Sequence, residues 1–149
     1  MTTRTDPSPD SLVFRGHANS YSGYGQHSTA FCQQVEKAGI PVRWEAIDRA
    51  DSLIPLDPWV ASRIVTSPAG GPRLQSSPPQ LPLAPGDVIL TMREATRIGA
   101  TMVANLNRAR GVIVPCDEVA RWFRESGVTA PIAVVPLGYD AEVFVPGAP

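Results

Sequence analysis

Short apolar runs that alternate with helical patterns constrain the fold of this chain more than any other feature of its sequence. The runs VIL, VIV and IAVV lie within 86–92, 112–115 and 131–138. Runs of this kind are typical of parallel sheets that helices cover on both faces. The sequence therefore predicts an α/β fold with a doubly wound, Rossmann-like parallel sheet. In such sheets ligands bind beyond the carboxyl ends of the strands.

Side-chain periodicity predicts the remaining elements. Two further strands are predicted at 11–16 and 40–47. Helices are predicted where apolar residues recur at helical spacing, in three cases with a glycine that ends the helix. These helices are 24–38 with Gly39, 57–65, 96–109 with Gly111, and 117–126 with Gly127.

The segment 67–86 contains six of the sixteen prolines of the chain. Proline lacks a backbone N–H and fixes φ, so we expect neither a continuous helix nor a central strand there. We predict an extended loop with room for one short strand. The first ten residues are polar and contain proline, and we predict that they form a disordered tail rather than a signal peptide. The 149 residues have room for one domain, predicted over 11–140.

Charge and cysteine usage exclude several function classes. Thirteen basic and fourteen acidic residues give a net charge of −1, which offers no electrostatic reason to expect nucleic acid or an anionic membrane surface as a partner. No apolar run approaches the ~20 residues of a transmembrane helix. Cys32 and Cys116 match no zinc or redox spacing, so they are interpreted as small core residues in a reducing compartment. We expect a cytoplasmic protein without a transmembrane segment.

Two glycines flank a tyrosine where the first predicted helix begins. Gly23-Tyr24-Gly25 is interpreted either as a loop that holds a phosphate at a helix N-terminus or as a tight helix entry that needs positive φ. The run GYGQHS also approaches the dinucleotide pattern G-x-G-x-x-G, and Glu45 follows Gly25 by twenty residues. About seven residues separate the first strand from Gly23, whereas the dinucleotide pattern begins directly after its strand. A nucleotide-cofactor module is therefore a less favoured hypothesis.

An ordered series of motifs covers 91–146 and follows a known family pattern. The motifs are TMRE (91–94), LN (106–107), VIVP (112–115), WF (122–123), SGV (126–128) and VVPLGYD (134–140), with Phe144 and Pro146 after them. This series resembles the N-terminal domain of family 4 glycosyltransferases of the GT-B type. The glycine-rich stretch after the first strand resembles the same family, whereas 50–86 matches it weakly.

The resemblance implies a glycosyltransferase in which two Rossmann-like domains face each other across a cleft. The N-terminal domain shapes the acceptor site, and the C-terminal domain binds a nucleotide sugar, from which the sugar is transferred with retention. Residues 141–149 would begin the linker to that second domain, which the 149 residues do not include. We therefore expect this half alone to be inactive, to hold no donor and no other cofactor, and to need a C-terminal domain or a second subunit.

The resemblance also assigns roles to individual residues. Gly23, Tyr24 and Gly25 would approach the donor diphosphate, whose negative charge must be stabilised as the glycosidic bond breaks. The predicted contacts to the cleft or to the unknown acceptor are His17, Asn19, Ser20, His27, Arg93 and Glu94. Catalytic residues are not identified, and no metal site is expected, because His17 has no second ligand at a suitable spacing.

Several alternatives stay open at this level. Asn19 and Ser20 are equally suited to a turn, and Glu94 to a cap for the helix predicted near Thr96. Trp122 and Phe123 are interpreted as core or interdomain packing. A different function class is a non-catalytic interaction protein that uses an exposed apolar face for assembly and does not respond to nucleotide sugars.

Overall fold

Within the part of the chain that the structure describes, six parallel strands form one sheet, which four helices flank. The computed structural model describes residues 11–18, 22–47, 56–65, 72–138 and 147. The strands are β1 (Leu12–Gly16), β2 (Val42–Ala46), β3 (Arg73–Ser76), β4 (Val88–Leu90), β5 (Gly111–Val114) and β6 (Ile132–Val134). The helices are α1 (Gly23–Lys37), α2 (Pro58–Ala61), α3 (Ala100–Leu106) and α4 (Asp117–Glu125). The predicted α/β fold with a Rossmann-like parallel sheet is confirmed.

The strand order is β2-β1-β3-β4-β5-β6, and every neighbouring pair is parallel. The chain moves from β1 to one side for β2 and then returns to the other side for all later strands. The order therefore reverses between β1 and β3. In open α/β sheets a crevice forms at such a reversal, outside the carboxyl ends of the strands, and ligands bind there.

Two hydrophobic cores lie on opposite faces of the sheet. On one face α1 packs through Cys32 and its neighbours against Phe14 and Trp44. On the other face α4 packs through Phe123 against the residues around Val112. Side chains alternate between the faces along each strand, so that Val112 and Ile113 belong to different cores. Cys32 is buried as predicted, and Cys116 is half-buried at the edge of the second core.

Local signals explain where the longer helices begin and end. The Ser22 hydroxyl accepts a hydrogen bond from the Gly25 amide at 3.0 Å and caps the start of α1. Gly39 and Gly127 have φ of +88° and +104° directly after α1 and α4, so the predicted glycine stops are correct there. This left-handed backbone conformation suits glycine, because it carries no Cβ.

The proline-rich segment differs from its prediction, because it contains a central strand. β3 lies between β1 and β4 in the sheet. Its four residues, RLQS, contain no proline, and the nearest prolines, Pro72 and Pro78, lie just outside it. The expectation that this segment excludes a central strand was therefore wrong, because a strand of four residues fits between two prolines.

Two helices are shorter than predicted. α3 begins at Ala100 rather than at Thr96 and ends at Leu106, so Gly111 is the first residue of β5 and not a helix stop. The Ile98 amide donates to the Ser126 hydroxyl, a hydrogen bond that holds the chain outside a helix just before Gly99.

α2 ends at Ala61 because the following residues pair with β2. The Trp44 amide donates to the Arg63 carbonyl at 2.8 Å, and the Val65 amide donates to the Trp44 carbonyl at 2.9 Å. The prediction of a helix over 57–65 is correct only for its first turn, which Asp57 caps. The predicted tail 1–10 and, apart from Gly147, the predicted linker 141–149 lie outside the described residues.

We predict that Gly16→Ala destabilises the fold. A Cβ at Gly16 would lie 2.5 Å from Phe14 Cε1, and the Phe14 ring cannot retreat because it packs against Phe31 and Trp44 at centroid distances of 6.0 and 4.8 Å. Overpacking of this kind costs about 1–3 kcal/mol of unfolding free energy, measurable by urea denaturation. Gly23→Ala is the control, because a Cβ at Gly23 meets nothing within 4 Å. Equal stability of the two variants would contradict the prediction.

Candidate functional site

Three depressions meet at the carboxyl ends of the strands and form one groove around Met92. The first, which we call the edge pocket, has a volume of about 350 Å³ and lies between the start of α1 and the ends of β3, β4 and β5. The second shares Met92 and Pro115 with it and also contains Arg93, Glu94 and Trp122. The third borders Met92 as well and again contains Arg93 and Glu94. The groove therefore lies at the edge where the topology predicts ligands to bind.

Tyr24 joins α1 to the end of β4. Its hydroxyl donates a hydrogen bond to the Met92 carbonyl at 3.3 Å and accepts one from the Met92 amide at 3.4 Å. Burial raises the pKa of the Tyr24 phenol, although the hydrogen bond to Met92 opposes that rise. The hydroxyl thus stays protonated at neutral pH, and it fixes the start of α1 over the strand ends.

His27 lies one turn further along α1 and lines the edge pocket. Its Nε2 atom is buried and has no hydrogen-bond partner among the residues that the structure describes. Burial lowers the pKa of His27, so its imidazole is uncharged at neutral pH. A neutral imidazole nitrogen either donates or accepts one hydrogen bond, and Nε2 does neither with the residues that the structure describes.

Two buried hydroxyl groups line the same pocket. Ser76 ends β3 and is 0% exposed, and Thr91 follows β4 and is 2% exposed. Within the described part of the chain the Ser76 hydroxyl oxygen has no hydrogen-bond partner, whereas the Thr91 hydroxyl lies close enough to the Tyr24 phenol to oppose the rise in the pKa of that phenol. Such groups are rare in folded proteins, since each one costs about 1–3 kcal/mol of lost solvation. Like His27 Nε2, these oxygens have almost no accessible surface, so they lie behind the wall of the pocket, and the wall that a ligand would touch is mostly apolar.

The two glycines of the predicted phosphate loop lie in the first turn of α1. The positive-φ glycines among the described residues are Gly39, Gly86 and Gly127, so Gly23 and Gly25 do not need that conformation. The Gly25 amide already donates to Ser22, and Gly25 is buried. Gly23, in contrast, is exposed, lines the edge pocket and has open space where a Cβ would be.

The remaining predicted site residues have different positions. Arg93 and Glu94 are exposed and line the two depressions beside the edge pocket. Because α3 begins only at Ala100, Glu94 does not cap it, as the alternative interpretation required. His17 follows β1 directly, with its ring centroid 6.2 Å from that of Tyr24. Asn19 and Ser20 lie outside the described residues.

The Glu45 side chain is not part of the groove at this edge of the sheet. Its carboxylate forms ion pairs with Arg15 and Arg73 at 3.3 Å each, and Arg73 also pairs with Asp87 at 3.4 Å. Glu45 alternates with Trp44, which packs under α1, so the ion-pair network lies on the opposite face of the sheet. A carboxylate occupied by two arginines is poorly suited to bind a ribose.

Sequence reasoning missed Ser76, Thr91 and the exposed part of Trp122. Trp122 was interpreted as packing, and it is half-buried against the second core but also lines the depression that contains Arg93. Thr91 was predicted to lie inside a strand over 86–92, whereas the structure ends β4 at Leu90 and places Thr91 just after it, at the carboxyl end where ligands bind. Ser76 had no such signal, because the strand that it ends was predicted only as an option within a loop.

Two other kinds of site are absent from the described residues. No group of three or more His, Cys, Asp or Glu side chains there could hold a metal ion. No helix among them has the length and apolar character to cross a membrane.

Comparisons with protein-family models, with curated proteins and with solved structures found no match for this chain. The resemblance of 91–146 to glycosyltransferases therefore stays a prediction from the motifs.

We predict that acid destabilises this protein in part through His27. Because the folded state lowers the pKa of His27 below its ordinary value of 6.5, the unfolded chain binds the proton more readily. The contribution of the uncharged His27 side chain to the unfolding free energy is fully present above pH 6.5. It is lost as the pH falls toward the lower pKa of the folded state. Thermal unfolding between about pH 7.5 and pH 5.5 measures it.

His27→Gln is the control for that measurement, because it removes the titrating group and keeps a polar side chain of similar reach. The drop in melting temperature with acid should be smaller in His27→Gln than in the unmodified protein. Identical drops would mean that His27 titrates equally in both states.

Proposed function

We propose that this domain is the acceptor-side half of a GT-B glycosyltransferase. It would hold an acceptor in the edge pocket while a nucleotide sugar, bound mainly by a second domain, approaches from across the groove. Three things support the proposal: the confirmed parallel α/β fold, the motif series over 91–146, and the convergence of Tyr24, His27, Arg93 and Glu94 on one groove.

The observation that carries the proposal is the open backbone at the start of α1. The first turn of a helix has amide groups without partners in the helix, and the helix dipole makes this end electropositive. Gly23 lies in that turn beside the pocket, and no atom lies within 4 Å of its Cβ position. A diphosphate could therefore approach the backbone at Gly23 closely, whereas the Gly25 amide is occupied by Ser22. Of the three residues predicted to contact the diphosphate, Gly23 and Tyr24 therefore remain in the proposal, and Gly25 does not.

An assembly role is the second candidate, and it is favoured by a separate observation. Val135 and Leu137 follow β6 and are exposed by 49% and 44%, unusually high fractions for large aliphatic side chains. An apolar surface of this kind suits a contact with another domain or subunit. Sedimentation of the purified chain discriminates the two candidates, because self-association abolished by Leu137→Ser, without any response to nucleotide sugars, would favour assembly.

We predict that Gly23→Ala removes the donor contact without harming the fold. Amide chemical shifts of the ¹⁵N-labelled protein would be followed while UDP-glucose or GDP-mannose is added to millimolar concentration. A donor that this half does not hold firmly still samples the contact at that concentration, so small shifts are expected at the first turn of α1. In Gly23→Ala the new methyl group blocks the approach, and the shifts should disappear.

Gly99→Ala is the matched control for this experiment. Gly99 precedes α3 and also has open space at its Cβ position, but it does not line the edge pocket in the described structure. On addition of the nucleotide sugar, the amide shifts of Gly99→Ala should change as those of the unmodified protein do. Shifts that persist in Gly23→Ala, or that occur away from α1, would contradict the assigned donor contact.

A further inference from the structure

The two outermost strands of the sheet differ in how their outer edges are covered. β2 lies at one end of the sheet, and residues 63–65 pair along its outer side through the backbone of Trp44. β6 lies at the other end, and no strand or bridge among the described residues pairs with its outer side. A bare strand edge of this kind presents N–H and C=O groups with which another strand can pair.

The backbone groups that point outward from β6 belong to Ile132 and Val134. The Pro131 carbonyl accepts a hydrogen bond from β5 at 2.8 Å, and the Val135 amide donates one to β5 at 2.9 Å. The odd-numbered residues of this strand are therefore bonded to β5, and the even-numbered ones direct their N–H and C=O groups away from the sheet. Within the described part of the chain no hydrogen bond reaches Ile132 or Val134 from that side.

Charged side chains, which commonly protect edge strands, are absent from this one. Residues 129–138 read TAPIAVVPLG and contain no charged side chain. Pro136 has no N–H to offer at the next outward position, so that pairing along this edge is confined to two residues. The edge is therefore suited to a short, closed pairing and not to an extended ladder.

The two outward residues lie symmetrically about Ala133, and this makes the edge complementary to itself. In an antiparallel pair, Ile132 of one copy can exchange both of its backbone hydrogen bonds with Val134 of another, and the reverse pair forms by symmetry. The two Ala133 residues then face each other across the two-fold axis, at the closer Cα spacing of about 4.5 Å. Ala133 is exposed, and its small side chain suits so close an approach.

We propose that two copies of this chain pair through β6, antiparallel and in register at Ala133, and so join their six-stranded sheets into one. The inference rests on the assembly candidate, for which it names the partner and the pairing. A net charge of −1 on each copy opposes the approach only weakly. The strands of the two copies run in opposite directions, so the two grooves open at opposite ends of the joined sheet. The pairing is therefore compatible with the glycosyltransferase proposal.

Sedimentation equilibrium of the full chain tests the pairing, with Ala133→Lys and Ala104→Lys as matched variants. Both replace an exposed alanine by lysine, but Ala104 lies on α3 and not on β6. The contact is small, so we expect a transient dimer with a micromolar dissociation constant for the unmodified chain and for Ala104→Lys. Ala133→Lys places like charges together at the axis and should weaken the dimer by at least about tenfold. Equal association of the two variants, or an unmodified chain that stays monomeric, would overturn the proposal.

A mixture of Ala133→Lys with Ala133→Glu tests the register. Each variant alone should associate weakly, whereas the mixture sets lysine opposite glutamate across the axis and should restore the dimer. A mixture that associates no better than its components would contradict pairing at Ala133. Self-association that survives both Ala133 variants and is lost in Leu137→Ser would assign the contact to the apolar surface at Leu137 and overturn strand pairing.

Amide hydrogen exchange distinguishes a second copy from any other occupant of the edge. Protection of the Ile132 and Val134 amides should rise with the concentration of the purified chain, whereas the Ala133 amide, which points toward β5, should be protected at every concentration. Protection of Ile132 and Val134 that requires another protein would overturn the proposal. Failure of the glycosyltransferase proposal looks different, because nucleotide sugars would leave the amides of α1 unchanged while the dimer persists.

Discussion

The close contact between α1 and β1 is the constraint on which the rest of the site depends. Gly16 carries no Cβ, and its Cβ position lies 3.3 Å from the hydroxyl of the buried Ser28 on α1. The Phe14 ring, held against Trp44, fills the remaining space under the helix. At this distance the first turn of α1 lies over the ends of β3 and β4, so that the Tyr24 hydroxyl meets the backbone of Met92.

Polar atoms without accessible surface lie behind the wall of the pocket that this contact creates. The hydroxyls of Ser76 and Thr91 and the Nε2 atom of His27 are removed from water without a hydrogen-bond partner among the described residues. Each such group lowers the stability of the folded chain, whereas alanine or valine in its place would not. These atoms have almost no accessible surface, so a ligand in the pocket would touch the apolar part of its wall instead. On the opposite face of the sheet Arg15 and Arg73 neutralise Glu45, so its carboxylate is not available to a ligand either.

The sequence predicted the architecture well because the apolar runs and the glycine stops act locally. The strand–helix alternation, the parallel sheet and the ends of α1 and α4 follow from such local patterns. The predictions were wrong where contacts between distant parts of the chain determine where a helix begins or ends. The hydrogen bond from the Ile98 amide to Ser126 delays α3, and pairing of Arg63 and Val65 with Trp44 shortens α2. The site was predicted in part. Tyr24, His27 and Glu94 were predicted because they follow predicted strands along the chain. Ser76 was not, because only the order of the strands in the sheet brings it to this edge.

A crystal structure of the domain soaked with UDP-glucose or GDP-mannose would test the central claim most directly. The account predicts that the diphosphate lies against the backbone of Gly23 at the start of α1, beside the edge pocket. A nucleotide sugar bound elsewhere, for example against Val135 beside β6 or on the face of the Arg15–Glu45 ion pair, with the start of α1 left without ligand, would contradict it.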